Sequence, residues 1–247
     1  MPLNKILHTV GLSFIGLVLA LVLGEVFIRV ATLDQQSYVV EMWRYAKLIK
    51  VESTDPAIGH QHRPNRQEKL QNVEIRTNSL GLRGPELRQD NKVQRRVAII
   101  GDSIALGWGV PEQLTLSSQL NGRLGETFEV VNAGVGNMNM SQIVAHWKAI
   151  NQMLPVDTVI VVVTARAAEK QNPPSKNWLL KQSILAALVS TVSQRITLGA
   201  QGKTSLVQHY EEIWSADYDN SNLLTAFSAL AELQAEKKFN VIVLMIP

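Results

Sequence analysis

An acid and a hydroxyl, Asp102 and Ser103, follow directly on Gly101 and the apolar run Val97–Ile100. The run has the length of a buried strand, and Gly101 permits the turn after it. Side by side at such a junction, Asp and Ser have two uses. They cap a helix start, a purely structural role. They also present polar groups at the mouth of a sheet, where α/β proteins hold their ligands. Familiar motifs narrow the second use. Ala105 occupies the last glycine position of G-x-S-x-G, so the usual nucleophile elbow does not apply. Neither "GWGVPE" (Gly107–Glu112) nor "GVGNMN" (Gly134–Asn139) completes the dinucleotide pattern G-x-G-x-x-G. "GKT" at Gly202–Thr204 has Thr197 where a phosphate loop needs its first glycine, and no strand precedes it. His60 and His62 lack a matched acid or third ligand nearby, and the sequence around them, "DPAIGHQHRPN", predicts a solvated loop and not a metal site. The chain has no cysteine, which excludes thiol catalysis, disulfides and Cys-ligated metals. No cofactor and no metal are expected.

The elements that position Asp102 and Ser103 are regular after Arg96. Apolar strands are predicted at Val97–Ile100, Phe128–Asn132, Asp157–Val163 and over "NVIVLMIP" at the end of the chain. Between them lie helices over Glu112–Leu124, Met140–Leu154, Asn177–Ile196 and Asn222–Lys238. Apolar strands alternating with helices predict an α/β fold, a three-layer α/β/α sandwich around a parallel sheet. The active edge of such a sheet is its carboxyl edge. Gly101–Ser103 lies there, as do Gly134–Asn139 after the second strand and Thr164–Glu169 after the third.

Of the 247 residues, 46% are hydrophobic and 18% charged, the profile of a globular chain with room for a membrane segment. The formal net charge of +3 comes without a block of like charges, so no nucleic-acid partner is expected. Val10–Gly24 carries no charge, and a helix continuing to Val30 has the length to cross a bilayer. A signal peptide is the rival, but Val22-Leu23-Gly24 fits a cleavage site poorly and no A-x-A occurs. The expected organisation is a membrane anchor over residues 1–31, a juxtamembrane linker over 32–94 and a main domain over 95–247. Lys5 and the amino terminus favour the short side inside, which puts the main domain outside the cytoplasm, although Arg29, Arg44, Lys47 and Lys50 blur that signal. "EMWRYAKLIKVE" is either an amphipathic helix at the membrane surface or a helix packed on the domain.

Four stretches together resemble one family. "IIGDSIALGWGV" is similar to the first block of the SGNH, or GDSL, hydrolases, and "VNAGVGNMNMSQ" to the second block of a membrane-anchored bacterial branch. "DPAIGHQHRPN" and "RTNSLGLRGPEL" resemble the segment which that branch carries between its anchor and its catalytic domain. The resemblance implies a flavodoxin-like parallel sheet and a serine esterase or acyltransferase. Ser103 would be the nucleophile and form an acyl-enzyme. The oxyanion hole would use the Ser103 N–H, an N–H near Gly136 and Asn137, and a side chain after the third strand. Asp102 would orient the loop without being the triad acid. The implied substrate is an acylated small molecule or an O-acylated extracellular polysaccharide, and the implied location is the inner membrane with the domain in the periplasm or outside the cell.

The chain departs from the family at two points. The branch carries Asn-Asp before Ala-Glu after its third strand. Here the residues are Thr164-Ala165-Arg166-Ala167-Ala168-Glu169, so Arg166 replaces the oxyanion Asn. Arg166 would donate to an oxyanion, bind an acidic substrate, mark lost activity, or be a surface arginine. The family's C-terminal Asp-x-x-His is also absent. His146 lies beside an apolar helix face and reads as packing, and His209 has no family counterpart. The sequence ends at Pro247 after an apolar strand, which reads as a truncated copy without the last strand-helix unit. The expectation is weak or absent turnover for this chain. A non-catalytic scaffold or glycan-binding module is the alternative.

Overall fold

The computed structural model describes residues 3–170, 177–200, 206–215 and 217–246; the Gly202–Thr204 tripeptide lies outside them. The chain opens with helices α1 (Leu3–Ala31) and α2 (Tyr38–Leu48). Two antiparallel hairpins follow, β1 (Lys50–Glu52) with β2 (His60–His62), and β3 (Gln67–Leu70) with β4 (Val73–Arg76). Then come β5 (Arg95–Gly101), α3 (Ser103–Leu106), α4 (Leu116–Leu124), β6 (Phe128–Gly134), α5 (Met140–Asn151) and β7 (Thr158–Val163). The chain continues through α6 (Trp178–Gln182), α7 (Ile184–Ala200), α8 (Leu206–Ile213), α9 (Ser221–Lys237) and β8 (Asn240–Met245).

These elements form two compact units. The first comprises Met1–Trp43 and Ser175–Gln201. Its α1 is long and apolar enough to cross a membrane. The Glu25 carboxylate, on α1, accepts hydrogen bonds from the Ser183 hydroxyl and from the N–H groups of Ile184 and Leu185, at 2.8–3.1 Å. It therefore satisfies donors that the start of α7 would leave open. Arg29, one turn on, donates to the same carboxylate at 2.6 Å. The single helix predicted over Asn177–Ile196 is broken at Ser183, whose hydroxyl accepts the Ala186 N–H and starts a new helix.

The second unit, Arg44–Pro174 with Gly202–Pro247, holds the sheet. Its strands are all parallel, in the order β6-β5-β7-β8. Numbered by appearance this is 2-1-3-4, the doubly wound arrangement whose crevice opens between the first and third strands. On one face Ala98, Ile100, Val131, Val159 and Val161 pack with Ile143, Trp147 and Ile150 of α5 and with Leu223, Leu230 and Leu233 of α9. On the other, Ile99 and Val162 meet Ala105 and Leu120 from α3 and α4. Burial on both faces explains why β5 and β7 are apolar almost throughout. The helix predicted from Glu112 is a 3₁₀ turn over Glu112–Leu114 and then α4, because Thr115 caps a fresh start by accepting the Ser118 N–H.

One expectation needs correction. Residues 32–94 are not a linker. Tyr45, Ile49, Ile58, Leu70, Ile75 and Leu82 are buried, and Arg83 pairs with Asn132 of β6 in an antiparallel bridge. The Gly, Pro and Asn residues of this stretch encode tight turns between short strands, which is not the same as exposure to solvent. The strand predicted over the last residues is β8, which pairs with β7 and leaves Ile242, Val243, Leu244 and Met245 exposed among the described residues.

Candidate functional site

At the carboxyl end of β5 the chain turns straight into α3. The buried Asp102 carboxylate caps α3 by accepting the Ile104 N–H at 2.9 Å, and its second oxygen accepts the Thr164 hydroxyl at 2.7 Å. Asp102 thus ties the ends of β5 and β7 together across the crevice. Ser103 is the first residue of α3 and is half-buried. Its Oγ makes no hydrogen bond among the described residues. Its carbonyl accepts the N–H groups of Gly107 and Trp108. The short helix sits directly on β6, since a Cβ at Gly134 would lie 2.3 Å from the Leu106 nitrogen; only glycine allows that approach. Arg83 locks the far end of α3. Its buried guanidinium donates to the carbonyls of Leu106, Gly107 and Val110, each at 2.7 Å.

Beyond the β6 end, Gly136 and Asn137 have different roles. The Gly136 N–H donates to the Tyr45 hydroxyl at 2.9 Å, so it points into the domain and is not free to bind an oxyanion. That part of the sequence expectation is corrected. Asn137 is exposed, with φ of 66°, and its N–H has no partner among the described residues. The register pairs Gly101 with Gly134, which brings Ser103 and Asn137 off neighbouring strand ends.

Behind Gly136 lies a buried polar cluster. His62 Nδ1 is 3.1 Å from the Gly81 carbonyl and Nε2 is 2.6 Å from the Tyr45 hydroxyl. A carbonyl only accepts, so His62 carries its proton on Nδ1, and Tyr45 donates to Nε2 while accepting from Gly136. The histidine is neutral in this chain of bonds. Burial, with His146 nearby, pushes its pKa down to about 3. Burial lowers His60 and His146 to about 4 and raises the Tyr45 phenol. The solvated loop expected at His60 and His62 is therefore a structural pair in contact with the core. Lys50 and His60 both reach the Gly136 carbonyl, at 3.0 and 3.2 Å.

The third strand end carries Arg166 in a 3₁₀ turn, Ala165–Ala168. Its guanidinium pairs with Glu169 at 2.7 Å. The other Glu169 oxygen is 3.3 Å from His209 Nε2 on α8. Trp214 Nε1 donates to the Ala165 carbonyl at 2.7 Å, so α8 is fastened to this turn. Tyr210, next to His209, feels the charges of Arg166, Glu169 and Asp102, and burial raises its phenol. Among the five histidines, His60, His62 and His146 are engaged or buried in the domain and His8 is on α1. His209 is the one that stands at the carboxyl edge with a carboxylate partner. Sequence reasoning passed over Tyr45, Lys50, Arg83 and the His209–Glu169 pair. The partners named above are 17 to 91 positions away along the chain, and no local motif announces such contacts.

No protein-family model matches the chain, and no curated protein matches it. Similar solved structures include the SGNH-hydrolase family esterase AlinE4, at 14% identity and a TM-score of 0.31, covering 64% of this chain and 77% of that one. A putative lipolytic protein of the G-D-S-L family from Desulfitobacterium hafniense DCB-2 has 14% identity and a TM-score of 0.29, over 61% and 77%. The psychrotrophic esterase EstA from Pseudoalteromonas sp. has 12% identity and a TM-score of 0.30, over 61% and 78%. The first two carry the family name that the Gly101–Ser103 and Val131–Gln142 blocks resemble. At such scores the likeness supports nothing beyond itself, and the site rests on its own geometry.

Proposed function

We propose that the second unit is a serine ester hydrolase or acyltransferase with Ser103 as nucleophile. The observation that carries this is the position of Ser103: a half-buried hydroxyl without an internal partner, at the first turn of a helix, on the carboxyl end of the strand that borders the crevice. Ser103 Oγ attacks an ester carbonyl and His209, oriented by Glu169, takes its proton. The Ser103 and Asn137 N–H groups stabilise the oxyanion, each contributing about 3 kcal/mol. The C–O bond to the alcohol breaks, and His209 returns the proton to the leaving oxygen. Water or an acceptor hydroxyl then releases the acyl group from Ser103. By resemblance, the substrate is an O-acylated small molecule or extracellular glycan. The role of α1 is a retained anchor in the inner membrane, with the second unit in the periplasm or outside the cell; a cut after Gly24 would leave Glu25 as the first residue, without the preceding helix turns that aim its carboxylate at the start of α7.

A non-catalytic glycan-binding module is the second reading. It is favoured by the absence of a bond between Ser103 Oγ and any base, and by the exposure of His209, 45% of its side chain. Hydrolysis of short-chain aryl esters by the full chain in detergent separates the two. The catalytic reading predicts slow turnover that vanishes in Ser103→Ala and falls about 100-fold in His209→Gln, the low end for loss of a general base. Folded protein indistinguishable from Ser103→Ala overturns the catalytic reading for this chain.

A further inference from the structure

One peptide group is gripped from several sides. The Gly136 carbonyl and the Asn137 N–H belong to the same peptide unit. Lys50 Nζ donates to that carbonyl at 3.0 Å and His60 Nε2 lies 3.2 Å from it. Just upstream, the Gly136 N–H is held by Tyr45, and a Cβ on Gly136 would fall 2.9 Å from the Tyr45 ring. The peptide therefore has one orientation. Lys50 is buried, 7% exposed, with its ammonium 4.8 Å from the centre of the Tyr45 ring. Among the described residues no carboxylate pairs with it.

We propose that Lys50 is a positioning residue that polarises the Gly136–Asn137 peptide, so that its charge strengthens the Asn137 N–H as a hydrogen-bond donor at the carboxyl edge of the sheet. A cation on a carbonyl oxygen draws electron density from the amide nitrogen and makes its N–H more acidic. Hydrogen bonds in series reinforce each other in this way, and more so where the local dielectric is low. The use of this donor for an oxyanion rests on the Ser103 reading; the polarisation does not.

The groups facing Lys50 decide when it is charged. They are Tyr45 from α2, His60 and His62 from β2 and Arg166 from the turn after β7, with His146 of α5 acting on the two histidines and Arg83 on Tyr45. None is an acid, and Arg166 repels an ammonium. Burial first and Arg166 second push the Lys50 pKa down to about 7. The polarising charge is then present below neutrality and lost above it. His60 and His146 titrate near 4, well separated from this change.

The test reads the Asn137 amide directly. The full chain is labelled with ¹⁵N-asparagine in detergent micelles, and the Asn137 signal is assigned by its loss in Asn137→Gly. Its proton shift should move with a midpoint near pH 7, and that step should vanish in Lys50→Met. An Asn137 amide that does not titrate between pH 6 and 8 in the unaltered chain overturns the inference, with no variant needed to fold. Fluorophosphonate labelling of Ser103 supplies the second readout. The rate should fall about 10-fold in Lys50→Met at pH 6, and an unchanged rate overturns the link to the donor. Should the amide titrate while Ser103 is never labelled, the polarisation holds and the Ser103 reading fails.

Discussion

Tyr45→Phe isolates one hydroxyl while leaving its ring in the core. That hydroxyl accepts the Gly136 N–H at 2.9 Å and donates to His62 Nε2 at 2.6 Å, and Tyr45 is 0% exposed. The substitution strands a buried donor and a buried acceptor, each costing about 1–3 kcal/mol when left without a partner. Neighbouring losses do not add fully, so the expected destabilisation is about 3 kcal/mol. For a chain of this size that is a fall of roughly 6–12 °C in melting temperature. The assay is thermal and urea unfolding of the full chain in micelles, followed by near-ultraviolet circular dichroism. The α1 signal, which reports on detergent, is thereby kept out of the measurement. A shift within about 1 °C of the unaltered chain shows that the Gly136–Tyr45–His62 bonds do not stabilise the fold, and the directions assigned to them fall with it.

Further predictions follow from the same geometry. His62 and His146 have folded pKa values lowered to about 3 and about 4, below the ordinary 6.5. The unfolded chain therefore takes up protons first on acidification. Stability from these two groups is full above pH 6.5 and declines as pH falls toward their folded values, by about 1.4 kcal/mol per group per pH unit; a melting temperature flat from pH 7.5 to 5 contradicts this. Gly134→Ala should be severely destabilising, since its Cβ would meet the Leu106 nitrogen at 2.3 Å, whereas Gly122→Ala, with nothing within 4 Å on α4, should be neutral or gain up to about 1 kcal/mol. Urea midpoints compare the pair. Arg83→Met removes the donors to Leu106, Gly107 and Val110, and should cost about 3 kcal/mol and slow any reaction of Ser103. Arg166→Asn should raise Ser103 labelling by neutral probes if the guanidinium, bound to Glu169, is a poor oxyanion donor, and lower labelling by anionic probes if it recruits acidic substrates.

How much of this was visible in the sequence depends on the range of the forces involved. The strands β5, β6 and β7 show as apolar runs because a parallel sheet buries both faces, and their alternation with helices fixes the sheet type. Asp102 and Ser103 show because strand, turn and cap are local. The end of α6 at Ser183 and the restart at Thr115 were missed because a cap inside an apolar pattern looks like a tolerated polar residue. The stretch before β5 was misjudged for a different reason. Turn residues report backbone geometry, and nothing local tells that Tyr45 and His62 meet, or that Gly136 will receive Lys50 from 86 positions upstream. The second-block glycine was likewise read as a free donor, when its N–H is bound to Tyr45 and Asn137 is the residue left open.

The central claim, that Ser103 is a nucleophile, is tested most directly by treating the folded full chain with a fluorophosphonate and mapping the adduct by peptide mass spectrometry. The account predicts one covalent adduct on Ser103, absent in Ser103→Ala and slowed about 100-fold in His209→Gln. A folded protein whose Ser103 peptide stays unmodified under conditions that label a control serine esterase contradicts it.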